Sequence, residues 1–334
     1  MARSSTIKDI AVRVGVSTAT VSAVLGNNQA GTIRVSPATR ARITEAAHEL
    51  AYRPNSVARS LRNRRTNIIG LYTAHGYLNP YVSFTAQLVG GLHKGCDEHG
   101  LDLLLHCFHA NRAVETVVSE LADGQIDGLI LYTSADDPLI EKLQLTNLPV
   151  VAVVDAIEGL PSVVVDDAGG MRKLANYLWS KGHKHVWFRM SSIELASVTV
   201  RFAAFNDEAT KLGMVVEVSE QPHTHQQPTP EELDWMTRTR AGRPTAAVCW
   251  NDLTAYHLLE YCRVRGIRVP EDIAITGFDD LPSSVPGIWK LTTIHAPWVE
   301  VVQASVPLLM QRVHGVEIPE ITTLPVELVE GHTA

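Results

Sequence analysis

The sequence predicts a small all-α headpiece followed by an α/β domain that is built from two lobes. Three short amphipathic helix patterns occupy the first 50 residues. From residue 67 onward, short apolar runs alternate with longer amphipathic stretches, which is typical of parallel βαβ units. The 334 residues, of which 45 % are hydrophobic, are also more than one folding unit usually holds.

The first two helices form a helix-turn-helix pattern. Buried positions at helical spacing predict the first helix, and they are Ile7, Ile10, Ala11 and Val14. Gly15 ends it, because glycine adopts left-handed backbone angles at low cost. Ser17 is a good N-cap for a second short helix over 18–25. Two helices joined by a tight turn with a glycine define the motif.

A third helix begins after Ser36, with Pro37 at its first position, where a missing N–H costs nothing.

The exposed positions of the second helix are all small, and they are Thr18, Ala19, Thr20, Ser22 and Ala23. Small side chains let a helix approach the floor of the DNA major groove, and methyl groups can contact the thymine methyl. The alternative is a three-helix core that binds no ligand.

Charge separates the head from the rest of the chain. Residues 1–66 contain 11 Lys and Arg against 3 Asp and Glu, whereas the remainder contains 18 against 33. A basic head on an acidic body indicates nucleic-acid binding by the head alone, although the whole chain carries a net charge of −7.

Residues 52–66 contain five arginines. Asn55 can cap a short helix over 56–61, which would be marginal alone and is expected to fold when phosphates neutralise its arginines. Leu61 would then be an apolar residue on a cationic helix, where a wedge into the minor groove explains it. The alternative is a charged flexible linker.

The stretches TIKDIAVRVGVSTATVSAVL and VSPATRARITEAAHELAYRPNSVARSLRNRRT closely resemble the headpiece and hinge of the LacI/GalR repressor family. The resemblance implies base contacts from Thr18, Ala19 and Ala23 and a minor-groove wedge at Leu61. It implies phosphate contacts from Thr6, Ser17, Ser22 and Tyr52. The predicted DNA-binding set is completed by Thr20, Asn55 and Arg59.

Two positions depart from the family pattern. The loop over 26–35 is longer than the usual turn, and Ala51 stands where the family usually has a helix-ending glycine. If the left-handed angle persists at Ala51, alanine costs about 1 kcal/mol relative to glycine. Neither departure removes a base contact.

Seven apolar runs predict the strands of the body: 68–72, 101–105, 128–132, 149–154, 186–188, 246–250 and 273–278. Near 160–166 and again near 291–296, the pattern is consistent with a chain that passes from one set of βαβ units to the other. The predicted division is a headpiece over 1–53, a hinge helix and linker over 54–66, an N-terminal lobe over 67–163 and 296–322, and a C-terminal lobe over 164–293 and 323–334.

The body resembles the effector domain of the same family, in stretches such as DGLILYTSADDPLI, SVVVDDAGG, PTAAVCWNDLTA and VPEDIAITGFDD. That domain is similar to periplasmic sugar-binding proteins, so the resemblance implies two Rossmann-like lobes around a ligand cleft. The implied ligand contacts are Asp155, Arg201, Asn251 and Asp279. Two carboxylates, a guanidinium and an amide suit a hydroxyl-rich ligand. The alternative for each strand-end Asp or Asn is capping of the next helix.

Other effector-binding candidates are His75, Tyr81 and Trp250, which lie at or near strand ends. The segment 75–92 matches the family poorly, as if residues were inserted. Thr229 stands where the family often has a stacking aromatic, which favours a sugar over a purine as the effector.

No motif indicates catalysis or a bound cofactor. The sequence lacks G-x-S-x-G, H-E-x-x-H, P-loop and G-x-G-x-x-G patterns, so no catalytic residue and no cofactor are predicted. Histidines cluster at 106–109, 181–185 and 223–225 without the convergence that a metal site needs, and no metal is expected. The four cysteines form no C-x-x-C pair, and a disulfide framework is not expected.

These observations predict a cytoplasmic transcription regulator, with no membrane segment, that binds a palindromic double-stranded DNA operator as a homodimer under control of a sugar-like effector. The residues near the C-terminus contain no heptad repeat, so a coiled coil for tetramerisation is not expected. Two other functions stay open: a small-molecule-binding protein with a vestigial head, and an enzyme on the same α/β scaffold.

Overall fold

The computed structural model describes residues 5–25, 34–53, 60, 65–75, 78–79, 82–107, 111–191, 195–221, 227–237, 242–282 and 289–334. The chain divides into two compact units, Met1–Thr66 and Asn67–Ala334. Four predicted site residues, Asn55, Arg59, Leu61 and Tyr81, lie outside the described residues. The predicted hinge helix over 56–61 is likewise described only at residue 60.

The first unit contains the three predicted helices, α1 (Ile7–Val14), α2 (Thr18–Leu25) and α3 (Pro37–Glu49). Thr6 and Asp9 form a reciprocal capping box at the start of α1. Ser36 accepts a hydrogen bond from the Thr39 N–H and so caps α3. Gly15 ends α1 with a φ of +74°, as its position predicted.

The three helices share one small apolar core. Its buried members are Ile10, Ala11, Val14, Val21, Val24, Ile43, Ala46 and Ala47. Ala51 follows α3 with a φ of +46°, so the left-handed backbone persists at this non-glycine residue. The Tyr52 N–H donates to the Ala47 carbonyl at 2.8 Å, which closes the helix end.

The second unit is an α/β structure. In chain order its described helices and strands are β1 (Ile68–Thr73), α4 (Ser83–His99), β2 (Asp102–Leu105), α5 (Val114–Leu121), β3 (Gly128–Tyr132), α6 (Leu139–Gln144), β4 (Val150–Val153), β5 (Ser162–Val165), α7 (Asp167–Ser180), β6 (His185–Ser191), α8 (Ala196–Lys211), β7 (Val215–Gln221), α9 (Pro230–Thr237), β8 (Ala246–Cys249), α10 (Asp252–Arg265), β9 (Ala274–Thr276), β10 (Thr293–His295), α11 (Trp298–Val313), β11 (Ile321–Leu324) and β12 (Glu327–Val329).

Two parallel sheets define two lobes. The N-terminal lobe has a six-stranded sheet in the order β11-β5-β4-β3-β1-β2, and α4 and α11 pack against each other in it. The C-terminal lobe has a four-stranded sheet in the order β7-β6-β8-β9, flanked by α7, α8 and α10. An antiparallel pair, β10 and β12, forms a third small sheet.

The seven predicted apolar runs all contain strands of these sheets. The predicted lobe boundaries, after residue 163 and after residue 322, fall inside β5 and β11. Both strands belong to the N-terminal lobe along their whole length, because they pair in parallel with Leu324 opposite Val165. The chain therefore leaves this lobe after Val165 and again after Leu324.

The contact between α4 and α11 depends on a glycine. A Cβ atom at Gly91 would lie 2.7 Å from the Val299 carbonyl oxygen and would also meet the Val302 side chain. This approach fixes the start of α11, where Trp298 stands, relative to α4.

None of the described helices has both the length and the hydrophobicity that spanning a bilayer requires.

Candidate functional site

The second helix of the head presents the residues that were predicted to read DNA. Thr18 and Ala19, at its start, are exposed, whereas Ser22 and Ala23 are half-buried. The Ser17 hydroxyl accepts a hydrogen bond from the Thr20 N–H at 3.1 Å, so Ser17 caps α2. The start of α2 therefore combines small exposed side chains with the N–H groups of a helix N-terminus, which favour a phosphate.

The other two predicted head contacts have structural partners. Thr6 is the N-cap of α1, and its hydroxyl and main-chain N–H both bond the Asp9 carboxylate. Tyr52 is half-buried against the head core.

In the second unit, five side chains from both lobes meet where the lobes are in contact, and we call this group the interlobe site: Tyr132, Asp155, Arg201, Asp279 and Trp298. Tyr132 ends β3, Asp155 follows β4, and Trp298 opens α11 in the N-terminal lobe. The C-terminal lobe supplies Arg201 from α8 and Asp279 after β9. Asp155 and Arg201 are only 1 % and 2 % exposed.

The Arg201 guanidinium bonds two groups of its own protein. Its Nε donates to Asp167 Oδ1 at 2.6 Å, and its Nη1 donates to the Trp250 carbonyl at 2.9 Å. Its Nη2 lies 3.8 Å from Asp279 Oδ1, and the group stacks over the Phe278 ring at 3.6 Å. This cation therefore holds together groups that follow β5, β8 and β9.

Among the described residues, side chains of the interlobe site make two hydrogen bonds that connect the lobes. The Ser197 N–H, in the first turn of α8, donates to Asp155 Oδ1 at 2.8 Å. The Trp298 indole N–H donates to Asp279 Oδ1 at 3.2 Å. The other oxygen of Asp155, Oδ2, is buried without a hydrogen-bond partner within the described part of the chain. A buried acceptor of this kind is costly unless a donor reaches it.

Backbone strain accompanies both carboxylates. Val154, directly before Asp155, has a φ of +78°, and Asp279 has a φ of +124°. Non-glycine residues in these regions cost about 1–3 kcal/mol each and are typical of functional sites. The backbone is thus held in an unfavourable form at both places where a carboxylate enters the interlobe site.

The carboxyl groups of the site outnumber its cation. Burial raises the pKa of Asp167 and of Asp279, although the Arg201 charge opposes the shift in both. Burial also raises the pKa of the neighbouring Asp252 to about 7, against hydrogen bonds from the Thr293 hydroxyl and the Leu281 N–H. Negative charge is therefore unfavourable here, and protons or donors stabilise the site.

Aromatic rings surround Tyr132. Its ring centroid lies 4.5 Å from that of His75 and 5.7 Å from that of Phe84. Phe84 in turn makes an edge contact with Trp298 at 5.3 Å. Burial raises the pKa of Tyr132, and the charges of Asp155 and Asp279 raise it further, which indicates that the phenol lies near both carboxylates. His75 is exposed in part, and desolvation lowers its pKa.

Asn251 and Trp250 differ from the other predicted ligand contacts. The Asn251 side-chain oxygen accepts hydrogen bonds from the Thr254 N–H at 2.9 Å and the Thr254 hydroxyl at 2.6 Å, so it caps α10. Capping was the alternative for this residue type. Trp250 bonds Arg201 through its main-chain carbonyl, and its half-buried side chain packs against the core of the unit.

Sequence reasoning missed three residues of this region: Tyr132, Asp167 and Trp298. Asp167 and Tyr132 stood in the quoted stretches SVVVDDAGG and DGLILYTSADDPLI, directly at strand ends, which was the available signal. Trp298 follows the small strand β10, and nothing in its spacing indicated a contact with Asp279.

Comparisons with known proteins agree with this architecture. Residues 6–55 match the lacI family of bacterial regulatory proteins, and residues 175–334 match the periplasmic binding protein-like domain. The transcriptional regulator DegA of Bacillus subtilis is 30 % identical over 302 residues, covering 88 % of this chain and 87 % of that protein. The transcriptional repressor CytR of Escherichia coli K12 is 28 % identical over 320 residues, covering 93 % and 90 %.

A solved structure, the lac repressor dimer bound to operator and the anti-inducer ONPF, superposes with a TM-score of 0.81 at 27 % identity and covers 99 % of each chain. A helix-turn-helix head on a periplasmic-binding-protein-like domain defines a class of DNA-binding transcription regulators. The chain belongs to the lacI family of bacterial transcription regulators, as the sequence resemblance predicted.

Proposed function

We propose that the chain is an operator-binding repressor that acts as a homodimer and whose interlobe site binds a small hydroxyl-rich effector. The observation that carries the proposal is the unpartnered Oδ2 of Asp155, which is buried beside Arg201 and Asp279 where the two lobes meet. A ligand that brings hydroxyl donors would satisfy this oxygen and contact both lobes at once. Such a ligand changes the balance between lobe arrangements, which is how it would reach the DNA.

Several observations support the DNA-reading part of the proposal. The start of α2 exposes Thr18 and Ala19, and the first 66 residues carry a net charge of +8. The lac repressor structure that superposes on this chain is a dimer bound to operator. A two-fold dimer would read a roughly palindromic operator, with Leu61 of each copy as the wedge at its centre. A protein that reads chromosomal DNA acts in the cytoplasm, at the nucleoid when bound.

The effector class is supported by the chemistry of the interlobe site. Carboxylates and a guanidinium recognise vicinal hydroxyl groups through paired hydrogen bonds. A second solved structure, of the transcriptional regulator CelR in complex with cellobiose, superposes with a TM-score of 0.71 at 26 % identity. A sugar or sugar derivative is therefore the effector that we propose.

Selection of bound sequences from a random DNA pool tests the operator part. The full chain is used at physiological salt, because non-specific binding to phosphates weakens there. We expect enrichment of a palindrome. A matched selection with Leu61→Ala should recover the same half-sites with lower affinity, since the wedge is removed and the base contacts of α2 remain. Enrichment of no sequence above background, with and without a mixture of sugars, would contradict the proposal.

A further inference from the structure

We infer that the effector carries a protonated amine beside its hydroxyl groups, as an amino sugar does. The inference rests on the proposed function, since it names the chemical class of the ligand at that same interlobe site. Three features of the site carry it: the balance of buried charges, an unpartnered carboxylate oxygen, and the aromatic rings beside that carboxylate.

The site contains more buried carboxyl groups than cations. Asp155, Asp167 and Asp279 are buried around one guanidinium, that of Arg201, which already bonds Asp167 and the Trp250 carbonyl. Burial raises the pKa of Asp167 and of Asp279, which shows that their charged forms are poorly compensated. A ligand that brings a positive charge would supply the missing compensation.

Among the described residues, Arg201 is the one cation that is paired with the carboxyl groups of this site. His75, whose ring contacts Tyr132, has a pKa lowered by desolvation and so favours its neutral form. An effector with a phosphate or carboxylate would find several carboxylates and no unengaged cation among the described groups.

The unpartnered oxygen of Asp155 calls for a hydrogen-bond donor on the ligand. Asp155 Oδ1 accepts from the Ser197 N–H, and Asp155 Oδ2 is left without a partner although the residue is 1 % exposed. An ionised carboxylate only accepts hydrogen bonds. An ammonium group supplies up to three donors and the compensating charge, and such a charge-assisted bond is about twice as strong as a neutral one.

Aromatic rings next to the same carboxylate point to the same ligand group. Tyr132 is near enough to Asp155 and Asp279 for both charges to raise its pKa, and His75 and Phe84 flank its ring. The face of an aromatic ring attracts a cation. Carboxylates and aromatic rings together form the surroundings that best accept an ammonium ion.

Matched sets of ligands test the inference on the full chain. Each set contains a hexosamine, its N-acetyl derivative, the parent hexose and the hexose 6-phosphate, in the gluco, galacto and manno series. Binding is measured by calorimetric titration and by the rise in melting temperature. In at least one set we expect the hexosamine to bind about tenfold or more tightly than its three partners, because only it brings a positive charge.

Asp155→Asn provides the decisive variant. The amide oxygen retains the bond from the Ser197 N–H, while the amide NH2 group that replaces Oδ2 is a donor and repels an ammonium group. We expect hexosamine affinity to fall about ten- to a hundredfold and the preference over the parent hexose to disappear. Asp136→Asn, which changes an exposed carboxylate, should leave that preference intact.

The outcomes separate the inference from the proposed function. Equal or tighter binding of a parent hexose or an N-acetyl derivative overturns the inference and supports the proposed function. Tightest binding of a 6-phosphate overturns the inference as well. Binding of no member of any set overturns the inference, while the DNA selection still decides whether the chain reads an operator.

Discussion

Replacing Arg201 by methionine removes the buried cation and keeps most of the unbranched stem. Asp167 then loses its 2.6 Å bond, Asp279 loses a charge at 3.8 Å, and the Trp250 carbonyl loses its donor. Removing one partner of a buried ion pair typically costs about 3–5 kcal/mol, because the remaining charge is left uncompensated. We expect the free energy of unfolding of the second unit to fall by about that amount at pH 7.5.

The chain offers a selective probe for this measurement. All 6 tryptophans lie between residues 179 and 298, so their fluorescence during urea unfolding reports on the second unit alone. Arg263→Ala is the matched control, since it breaks an exposed ion pair with Glu260 on α10 and should leave the urea midpoint unchanged. Operator binding should survive Arg201→Met under conditions where the second unit stays folded, because the DNA contacts belong to the head.

Lowering the pH should reduce the loss of unfolding free energy that Arg201→Met causes. Without the guanidinium, Asp167 and Asp279 bind protons more readily, and burial already raises the pKa of both. As the pH falls, the folded variant therefore binds more protons than the unfolded chain does. The difference in unfolding free energy between wild type and variant should then be smaller at pH 5.5 than at pH 7.5. A midpoint equal to that of Arg263→Ala, or a deficit that grows in acid, would refute the reasoning.

Three further predictions follow from the fold. Ala51→Gly relieves the left-handed backbone at +46° and should stabilise the head by about 1 kcal/mol, measured as slower amide hydrogen exchange in α3 of the full chain. Gly91→Ala forces a methyl group against the Val299 carbonyl, and should destabilise the second unit by about 1–3 kcal/mol in urea, whereas Gly90→Ala, which meets open space, should not. Burial raises the pKa of Asp252 to about 7, so the stability of the wild type should fall as the pH rises from 5 to 7, by up to about 1.4 kcal/mol per pH unit relative to Asp252→Asn. Parallel pH profiles of the two proteins would show that Asp252 is not the cause.

The sequence predicted local structure well where apolar periodicity and capping residues agree. The end of α1 and the starts of α2 and α3 lie where Gly15, Ser17 and Ser36 indicate, because each cap acts within one turn of chain. Five strands lie outside the seven predicted apolar runs: β5, β7, β10, β11 and β12. The strands β7 and β11 are the outer strands of their sheets and mix polar with apolar residues, whereas β5, β10 and β12 are only three or four residues long.

The interlobe site was only partly predictable, because its contacts join residues far apart in the chain. Asp167 bonds Arg201 across 34 positions, and Trp298 bonds Asp279 across 19. Spacing in sequence carries no signal for such pairs. The unpartnered oxygen of Asp155 likewise follows from how α8 meets the end of β4, which only the folded chain determines.

The measurement that tests the central claim most directly is the affinity of the full chain for its selected operator, with and without the tightest-binding ligand of the hexosamine sets. We expect the ligand to change the operator dissociation constant by about fivefold or more, the usual lower range for coupling between two sites. Asp155→Asn should bind the operator as wild type does and lose this response. An operator affinity that no ligand alters, or a response that survives in Asp155→Asn, would contradict control by the interlobe site.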